Sequence, residues 1–437
     1  MLVFCATLNV VWSTDHTTSF LDLDYSLWSS HSLSLGQVGR FTPNTVDVIQ
    51  YNGQYYSALA PGLALFAFPA VAVGFDMVGH FSLYGPVMLL SELFVAVMNA
   101  VAVFFLYRLG RLFFRQTTSG LIAISYAFST ISWPFATFFF QSDVSAALDV
   151  IAVYFILRAA RGSVDLSSII IGGFAVAFAV MVDYVNFLLL PVLLTFVVFS
   201  LREDKHLARK TGAIFSLCAL TGVLALGLYN YACFGNPVVS TEQLYLHSSS
   251  FLGNFTTPIY LGLLLNLFTP LRGIFFYSPI LILGVLGFKR MLSTIRREGL
   301  LILAVFMVLF LPYCAWYGPT GGLAFGPRFL VASFPFLLLP AGYVIETTWR
   351  YRKPVIYALY SAGVIVNGLA AITSALAGTS NWLASPFLSS TLPTLTRGTL
   401  DQWWLSDAGA SWPVVGAGII GATLLLPIIF WQRDPRS

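Results

Sequence analysis

Residues 83–107, LYGPVMLLSELFVAVMNAVAVFFLY, run for 25 positions with a single charged side chain, Glu92, and Arg108, Arg111 and Arg115 follow at once. A helix of that length and polarity crosses the roughly 30 Å hydrocarbon core of a bilayer. The arginines behind it mark the end that stays in the cytoplasm. The same pairing recurs along the chain. Eighteen of the 22 basic residues fall in six clusters: the three just named; Arg158 and Arg161; Arg202, Lys205, Arg209 and Lys210; Lys289, Arg290, Arg296 and Arg297; Arg350, Arg352 and Lys353; Arg433 and Arg436. Between neighbouring clusters the apolar sequence has to cross twice. This predicts spans near 83–107, 119–138, 141–158, 167–183, 185–201, 211–233, 274–288, 299–317, 329–348, 354–375 and 412–431, and an opening helix brings the count to about twelve. Both termini are then cytoplasmic, in a multi-pass protein of the cell membrane.

Composition excludes most other classes. Of 437 residues, 58% are hydrophobic and 9% charged, whereas a soluble domain carries about a quarter charged residues. The expected fold is an all-α polytopic membrane protein with a large first extracytoplasmic loop. Large soluble domains, collagen-like or disordered chains and a nucleic-acid partner are not expected. Cys5, Cys218, Cys233 and Cys314 make no disulfide framework and read as small buried residues.

Two segments resist the simple count. Residues 61–79, PGLALFAFPAVAVGFDMVG, are apolar enough to span, but counting them would put the Arg108 cluster outside. They read as an outer-face helix interrupted at Pro61 and Pro69. At the N-terminus, MLVFCATLNVVWS is short for a full crossing and lacks the basic start of a signal peptide. The irregular mass lies in outer loops, residues 14–82, 234–273, 318–328 and 376–411, while inner loops are short. A protein that builds its loops on one face works on that face. We divide the chain into a core over 1–348, including loop 14–82, and C-terminal helices over 349–437, including loop 376–411.

Sorted by this topology, Asp15, Asp22, Asp24, Asp47, Asp76, Asp143, Asp183, Glu242, Asp401 and Asp407 are outer, against only Arg40, Arg272, Arg328 and Arg397. Arg272 (TPLRGIFFYSP) and Arg328 (GGLAFGPRF) sit in Gly/Pro-rich loops leading into spans. Irregular backbone at that depth has to line protein or a polar cavity. Each arginine is a candidate for a fixed anion such as a phosphate, and the bland alternative is snorkelling to headgroups or pairing with an outer Asp. Asp22 and Asp24 form a D-x-D pair that on a loop can share a divalent cation, Mg or Mn. On a helix the two would diverge, and simple solvation of the loop is the other reading. Asp15 with His16, and Asp47, are further acids of the same loop, any of which burial could tune into a general base. Asp143 and Asp183 stand at outer span ends, as substrate contacts or as helix caps. Glu92 and Asp149 lie deeper and read as structural. Tyr51, Tyr55 and Tyr56 are candidates to line a sugar site, most tryptophans are belt anchors, and no His has a partner at zinc spacing. Asn254-Phe255-Thr256 is a glycosylation sequon.

At these residues the chain resembles the GT-C class of integral-membrane glycosyltransferases, which contains protein mannosyltransferases. The resemblance rests on the acidic first loop, YNGQYYSALAPGLALFAFP, QSDVSAALDVIAVYFILR, FGNPV, TPLRGIFFYSPILIL and WYGPTGGLAFGPRFLVASFPFLLLP, spread over about 14–340. It implies a polyprenyl- or dolichyl-phosphate-linked hexose or pentose as donor, and a glycan, lipid or protein as acceptor. Transfer would be inverting and on the non-cytoplasmic side. An acid of the first loop would act as base, Asp22 or Asp24 ahead of Asp15. Arg272 and Arg328, with a metal in some relatives, would hold the leaving lipid phosphate, with Asp47, Tyr55, Tyr56, Asp143 and Asp183 around the substrate. The alternative is a transporter or lipid flippase without chemistry. It fits less well, because mid-span charges are few and no inverted repeat with broken helices is evident.

Overall fold

The computed structural model describes residues 1–8, 14–36, 47–80, 85–161, 165–248, 251–322, 324–373, 384–397 and 412–432. A short opening helix α1 (Leu2–Ala6) precedes α2 (Asp15–Ser30), an antiparallel hairpin of β1 (Val48–Tyr51) and β2 (Gln54–Ser57), and α3 (Gly62–Val78). The first half of the bundle follows: α4 (Pro86–Gly110), α5 (Gln116–Phe128), the short α6 (Ser132–Phe135), α7 (Gln141–Arg161), α8 (Leu166–Val182), a 3-10 turn Tyr184–Leu188 that runs into α9 (Leu189–Ser200), and α10 (Lys205–Phe234). The second half comprises α11 (Thr241–Tyr245), α12 (Ile259–Phe268), α13 (Ile274–Tyr277), α14 (Leu281–Thr294), α15 (Arg296–Ala315), a 3-10 turn Arg328–Ser333 continuing into α16 (Phe334–Leu338), and α17 (Ala341–Thr373), then α18 (Leu392–Arg397) and α19 (Ala417–Gln432).

Apolar α-helices dominate, as the composition requires. Among the described residues four helices are long and apolar enough to cross a membrane, five if the bent pair Arg328–Leu338 and Ala341–Thr347 counts as one span, with shorter apolar helices such as Leu166–Val182 and Tyr184–Ser200 beside them. The expected twelve full-length spans are therefore not matched by length alone. Several stretches read as single spans are broken, 119–138 into α5 and α6 and 274–288 into α13 and α14. Ala341, Ile345, Ile356 and Tyr360 of α17 line one small cavity with Leu121 and Ile122 of α5.

The segments that carry Arg115, Arg158 and Arg161, and Arg296 and Arg297 come together at one end. Arg161 Nε contacts Glu298 Oε1 at 3.2 Å and its Nη1 bonds Leu112 O. Arg158 pairs with Asp165 at 3.7 Å, and the Arg115 N–H donates to Glu346 Oε1. At the opposite end of the bundle lie the loops. Helices α8 and α10 approach so closely that a Cβ on Gly222 would collide with the Ala177 backbone, and they form one wall of the outer end.

Two readings of the first loop are corrected. It is mostly ordered secondary structure, and Asp22 and Asp24 lie on a helix. Thr14 caps α2 by accepting from Thr17 N at 3.2 Å, and His16, Phe20, Leu23 and Leu27 recur at helical spacing. Phe20, Leu21 and Leu23 pack on the α3 side of the core with Leu63, Val71 and Phe75. Helix α3 also runs unbroken through Pro69 to Gly79, whose φ of 75° closes it with a 2.7 Å bond to Phe75 O. Proline removes one hydrogen bond, and the buried face Ala64, Ala67, Val71 and Phe75 holds the helix together across that gap. Cys218, Cys233 and Cys314 are buried and form no disulfide.

Candidate active site

The N-terminal end of α2, the turn before β1, the start of α7 and the Arg328 loop meet at one place. His16 Nδ1 lies 3.0 Å from Asp47 Oδ2, and His16 Nε2 lies 2.8 Å from Gln141 Oε1. The ring stacks on Phe140 with centroids 4.7 Å apart and planes 13° from parallel. The Asp47 backbone is fixed too, since its carbonyl accepts from Ser19 Oγ at 2.7 Å and from Ala58 N at 3.1 Å. Burial works to raise the Asp47 pKa, but the His16 hydrogen bond and the His16 and Arg328 charges outweigh it, and its carboxyl sits below the usual range. Asp47 is thus held ionised.

Arg328 completes this group. Its guanidinium carbon sits 5.1 Å from the Phe140 ring centroid and 4.9 Å from that of Phe329. Its buried Nε has no hydrogen-bond partner among the described residues. A cation so placed gains from the ring quadrupoles while its donors stay open for an anion. Gly321 (φ 68°) and Gly322 (φ 79°) shape its bed. A Cβ on Gly321 would stand 3.1 Å from Arg328 Cγ, and at that φ any side chain is strained.

Arg272 has a different job. It is fully buried, donating from Nε to Thr320 O (2.7 Å), from Nη2 to Gly322 O (2.7 Å) and from Nη1 to Leu271 O (2.6 Å). Three carbonyls occupy it, so it clamps the 320–322 loop on which Arg328 rests. The sequence reading made Arg272 a second phosphate ligand; in the structure three of its five N–H donors go to carbonyls.

Beside the Arg328 group a polar pocket is lined by Gln141, Asp183, Tyr184, Glu242, Tyr313, Trp316 and Phe329. Asp183 Oδ2 accepts from Tyr313 Oη at 2.6 Å, and Asp183 Oδ1 caps the next turn at Val185 N. Burial, with the charges of Asp183 and Asp47 nearby, pushes the Glu242 carboxyl up to about 8. Tyr184 and Val185 also line a larger apolar groove of about 560 Å³, walled by Phe187, Leu188, Val223, Leu226 and Pro312.

Other expected residues lie elsewhere. Asp22 and Asp24 are 2% and 0% exposed and sit about 10 and 13 Å along the helix axis from Asp15. Two positions apart on a helix, they diverge by about 200° and do not form the expected cation pair. Among the described residues no group of three His, Cys, Asp or Glu side chains can hold a metal ion. Burial alone pushes the Asp22 carboxyl up to about 7 and that of Asp24 well above its usual range. Asp15 opens α2 next to His16, and its side chain lies outside the described residues, as does Arg40. Asp143 faces inward and accepts from Ser132 Oγ at 2.6 Å. Tyr56 and Tyr51 dock the hairpin on Phe234, and Tyr55 is exposed. The Asn254 side chain is 2% exposed, so the sequon is covered. Gln141 and Phe140 were missed. The only local signal for them was the helix start at Ser142 and Asp143.

With this geometry, the comparisons become informative. Residues 77–229 match the family model described as dolichyl-phosphate-mannose-protein mannosyltransferase. Solved structures with a similar fold include ArnT from Cupriavidus metallidurans bound to undecaprenyl phosphate, at 13% identity and TM-score 0.57 over 98% of this chain and 74% of that one. The chain shares the fold of ArnT. The Archaeoglobus fulgidus oligosaccharyltransferase is also similar, with Zn and sulfate (13% identity, TM-score 0.56, 87% of this chain, 53% of that one). So is its AglB complex with an inhibitory peptide and a dolichol-phosphate (14%, 0.52, 94% and 55%). The chain thus spans about three quarters of the length of ArnT and about half that of the oligosaccharyltransferase. No curated protein matches the chain in sequence. Within this fold, the Arg328 group and the polar pocket lie outside the segment matched by the family model, except for Phe140, Gln141, Val182, Asp183, Tyr184 and Val185.

Proposed function

We propose that this chain is a multi-pass glycosyltransferase of the cell membrane, with both termini cytoplasmic. It moves a hexose or pentose from a polyprenyl- or dolichyl-phosphate donor to a glycan, lipid or protein acceptor on the outer side. The observation that carries the reading is the Arg328 guanidinium, cradled by two aromatic rings, its Nε without a partner among the described residues, and set beside Asp47, His16 and Gln141. The mannosyltransferase family match and the polyprenyl- and dolichol-phosphate complexes of the structural neighbours support a lipid phosphate as its anion.

In the reaction the acceptor hydroxyl attacks the anomeric carbon from the face opposite the phosphate. The C–O bond to phosphate breaks, the configuration inverts and the acceptor proton passes to a carboxylate. That carboxylate comes from the His16 end of α2, where Asp47 is held ionised and Asp15 is adjacent in sequence. Arg328 meets the charge that develops on the leaving phosphate. The protonated Glu242 and the Asp183–Tyr313 pair offer one donor and one acceptor to sugar hydroxyls. Asp22 and Asp24 do not build a cation site, and no step is assigned to a metal. Residues 1–348 carry this machinery, and 349–437 form the C-terminal helices, to which no step is assigned.

The test uses purified protein with polyprenyl-phosphate mannose and membrane extract as acceptor, and follows release of polyprenyl phosphate. Arg328→Ala should lower kcat/KM at least a hundredfold, and Asp47→Asn or Asp15→Asn should abolish release, with the thermal midpoint retained. Full activity in Arg328→Ala would overturn the assignment of the phosphate site. Saturable movement of substrate across proteoliposomes without bond cleavage would favour a transporter.

A further inference from the structure

A line of contacts runs from the C-terminal helices to the loop that carries Arg328. Tyr277, the last residue of α13, is fully buried. Its Oη donates to Pro270 O at 3.0 Å and to Leu271 O at 3.2 Å, so its one proton is taken by these carbonyls. The buried Ser385 Oγ stands 3.3 Å from the same Oη and is therefore the donor in that pair. The Leu271 carbonyl also accepts from Arg272 Nη1, and Arg272 continues to Thr320 O and Gly322 O in the bed of Arg328. A second line runs through rings. Tyr277 meets Phe325 edge-on, with centroids 4.8 Å apart and planes at 81°, and Phe325 meets Phe387 of the C-terminal part at 6.5 Å. Gly326 lies over the Tyr277 ring at φ 61°, where a Cβ would stand 3.3 Å from Tyr277 Cγ. The Gly326 carbonyl in turn accepts from Arg328 N at 3.1 Å. Asn367 of α17 fixes Tyr277 from the other side, donating Nδ2 to its carbonyl at 2.7 Å.

We propose that Tyr277 is a positioning residue for Arg328, braced by Ser385 and Phe387, so that the C-terminal part of the chain completes the lipid-phosphate site from behind. This rests on the reading of Arg328 as the phosphate ligand and adds the residues that set where its guanidinium stands. The Arg328 side chain lies on two rings, and its Nε has no partner among the described residues. Ring faces attract a cation without fixing its direction as a hydrogen bond does. Its placement therefore depends on the backbone that carries it, and that backbone is held at 320 and 322 by Arg272 and at 325 and 326 by Tyr277. The Tyr277 hydroxyl joins both supports, because it shares the Leu271 carbonyl with Arg272 and takes the Ser385 proton. Without it a buried serine hydroxyl loses its acceptor and the loop loses its link to the C-terminal part. A cation displaced by about 1 Å no longer meets the phosphate oxygens squarely, and errors of that size are costly in a site built on orientation.

The experiment measures the Kd of undecaprenyl phosphate, with the thermal midpoint beside it, on the purified full chain in detergent. Tyr277→Phe keeps the ring on Phe325 and removes only the hydroxyl; it should weaken binding about fivefold. Phe387→Ala should weaken it by about threefold or more, and Phe387→Tyr, which keeps the ring, should restore the wild-type Kd. Arg328→Ala should weaken binding about tenfold or more. In that background neither Tyr277→Phe nor Phe387→Ala should weaken it further, because the side chain they place is gone, while their effects on the midpoint persist. A packing role alone gives the other pattern, a lowered midpoint with the wild-type Kd in the folded fraction of both single variants, and that result overturns the proposal. It is also overturned if the two substitutions weaken binding as much beside Arg328→Ala as they do alone. Should Tyr277→Phe fail to fold, Phe387→Ala and Ser385→Ala decide by the same criteria. Wild-type affinity in Arg328→Ala itself would instead strike the phosphate reading, and this proposal with it.

Discussion

Asp22 offers the sharpest test, because the sequence marks it as a catalytic acid and the structure buries it as a structural one. It is 2% exposed, its Oδ1 has no hydrogen-bond partner among the described residues, and burial pushes its carboxyl from 3.8 up to about 7. The sign follows from linkage: a carboxyl whose folded pKa exceeds its unfolded value favours folding when protonated. The penalty for ionising it is absent below about pH 4, grows between about pH 4 and 7, and is constant above. About three pKa units correspond to about 4 kcal/mol at pH 8. Asp22→Asn removes that charge at nearly constant volume. Thermal unfolding in detergent should therefore show the variant clearly more stable than wild type at pH 8 and nearly equal to it at pH 4. For a chain of this size a few kcal/mol shifts the midpoint by several degrees. Sugar transfer should be retained. A variant that folds normally but loses all transfer, or that gains no alkaline stability, would refute the reasoning and restore Asp22 as a candidate base.

Three more outcomes follow from the site. Arg272→Lys loses the fork that reaches the Thr320 and Gly322 carbonyls and should cost about 3 kcal/mol or more of stability, whereas Arg328→Lys, whose Nε bonds nothing among the described residues, should leave the thermal midpoint unchanged while weakening undecaprenyl phosphate binding. Glu242 stays protonated up to about pH 8, so kcat/KM should fall above that pH as a third negative charge appears beside Asp183 and Asp47, and Glu242→Gln should flatten that limb. Gly321→Ala, at φ 68° and 3.1 Å from Arg328 Cγ, should cost about 1–2 kcal/mol of stability and lower lipid-phosphate affinity more than it lowers stability.

The sequence by itself determined the membrane class, the basic end and the side on which the loops gather. Each of these depends on runs of like residues that act locally: an apolar run of span length needs a bilayer, and Lys and Arg stay where they need not cross it. It also singled out Arg328, Asp47, Asp183 and Glu242 as part of a small set of outer charges. It could not separate Arg272 from Arg328, since both lie in Gly/Pro loops before a helix. Only packing shows that one turns donors to carbonyls 48 and 50 residues away while the Nε of the other has no partner among the described residues. The same holds for His16, joined to Asp47 across 31 residues and to Gln141 across 125. Asp22 and Asp24 misled because polar residues in a short helix look like a solvated loop until α3 covers them. Their burial, like the open face of Arg328, follows from which surfaces the fold brings together, and a linear pattern of residue types does not contain that.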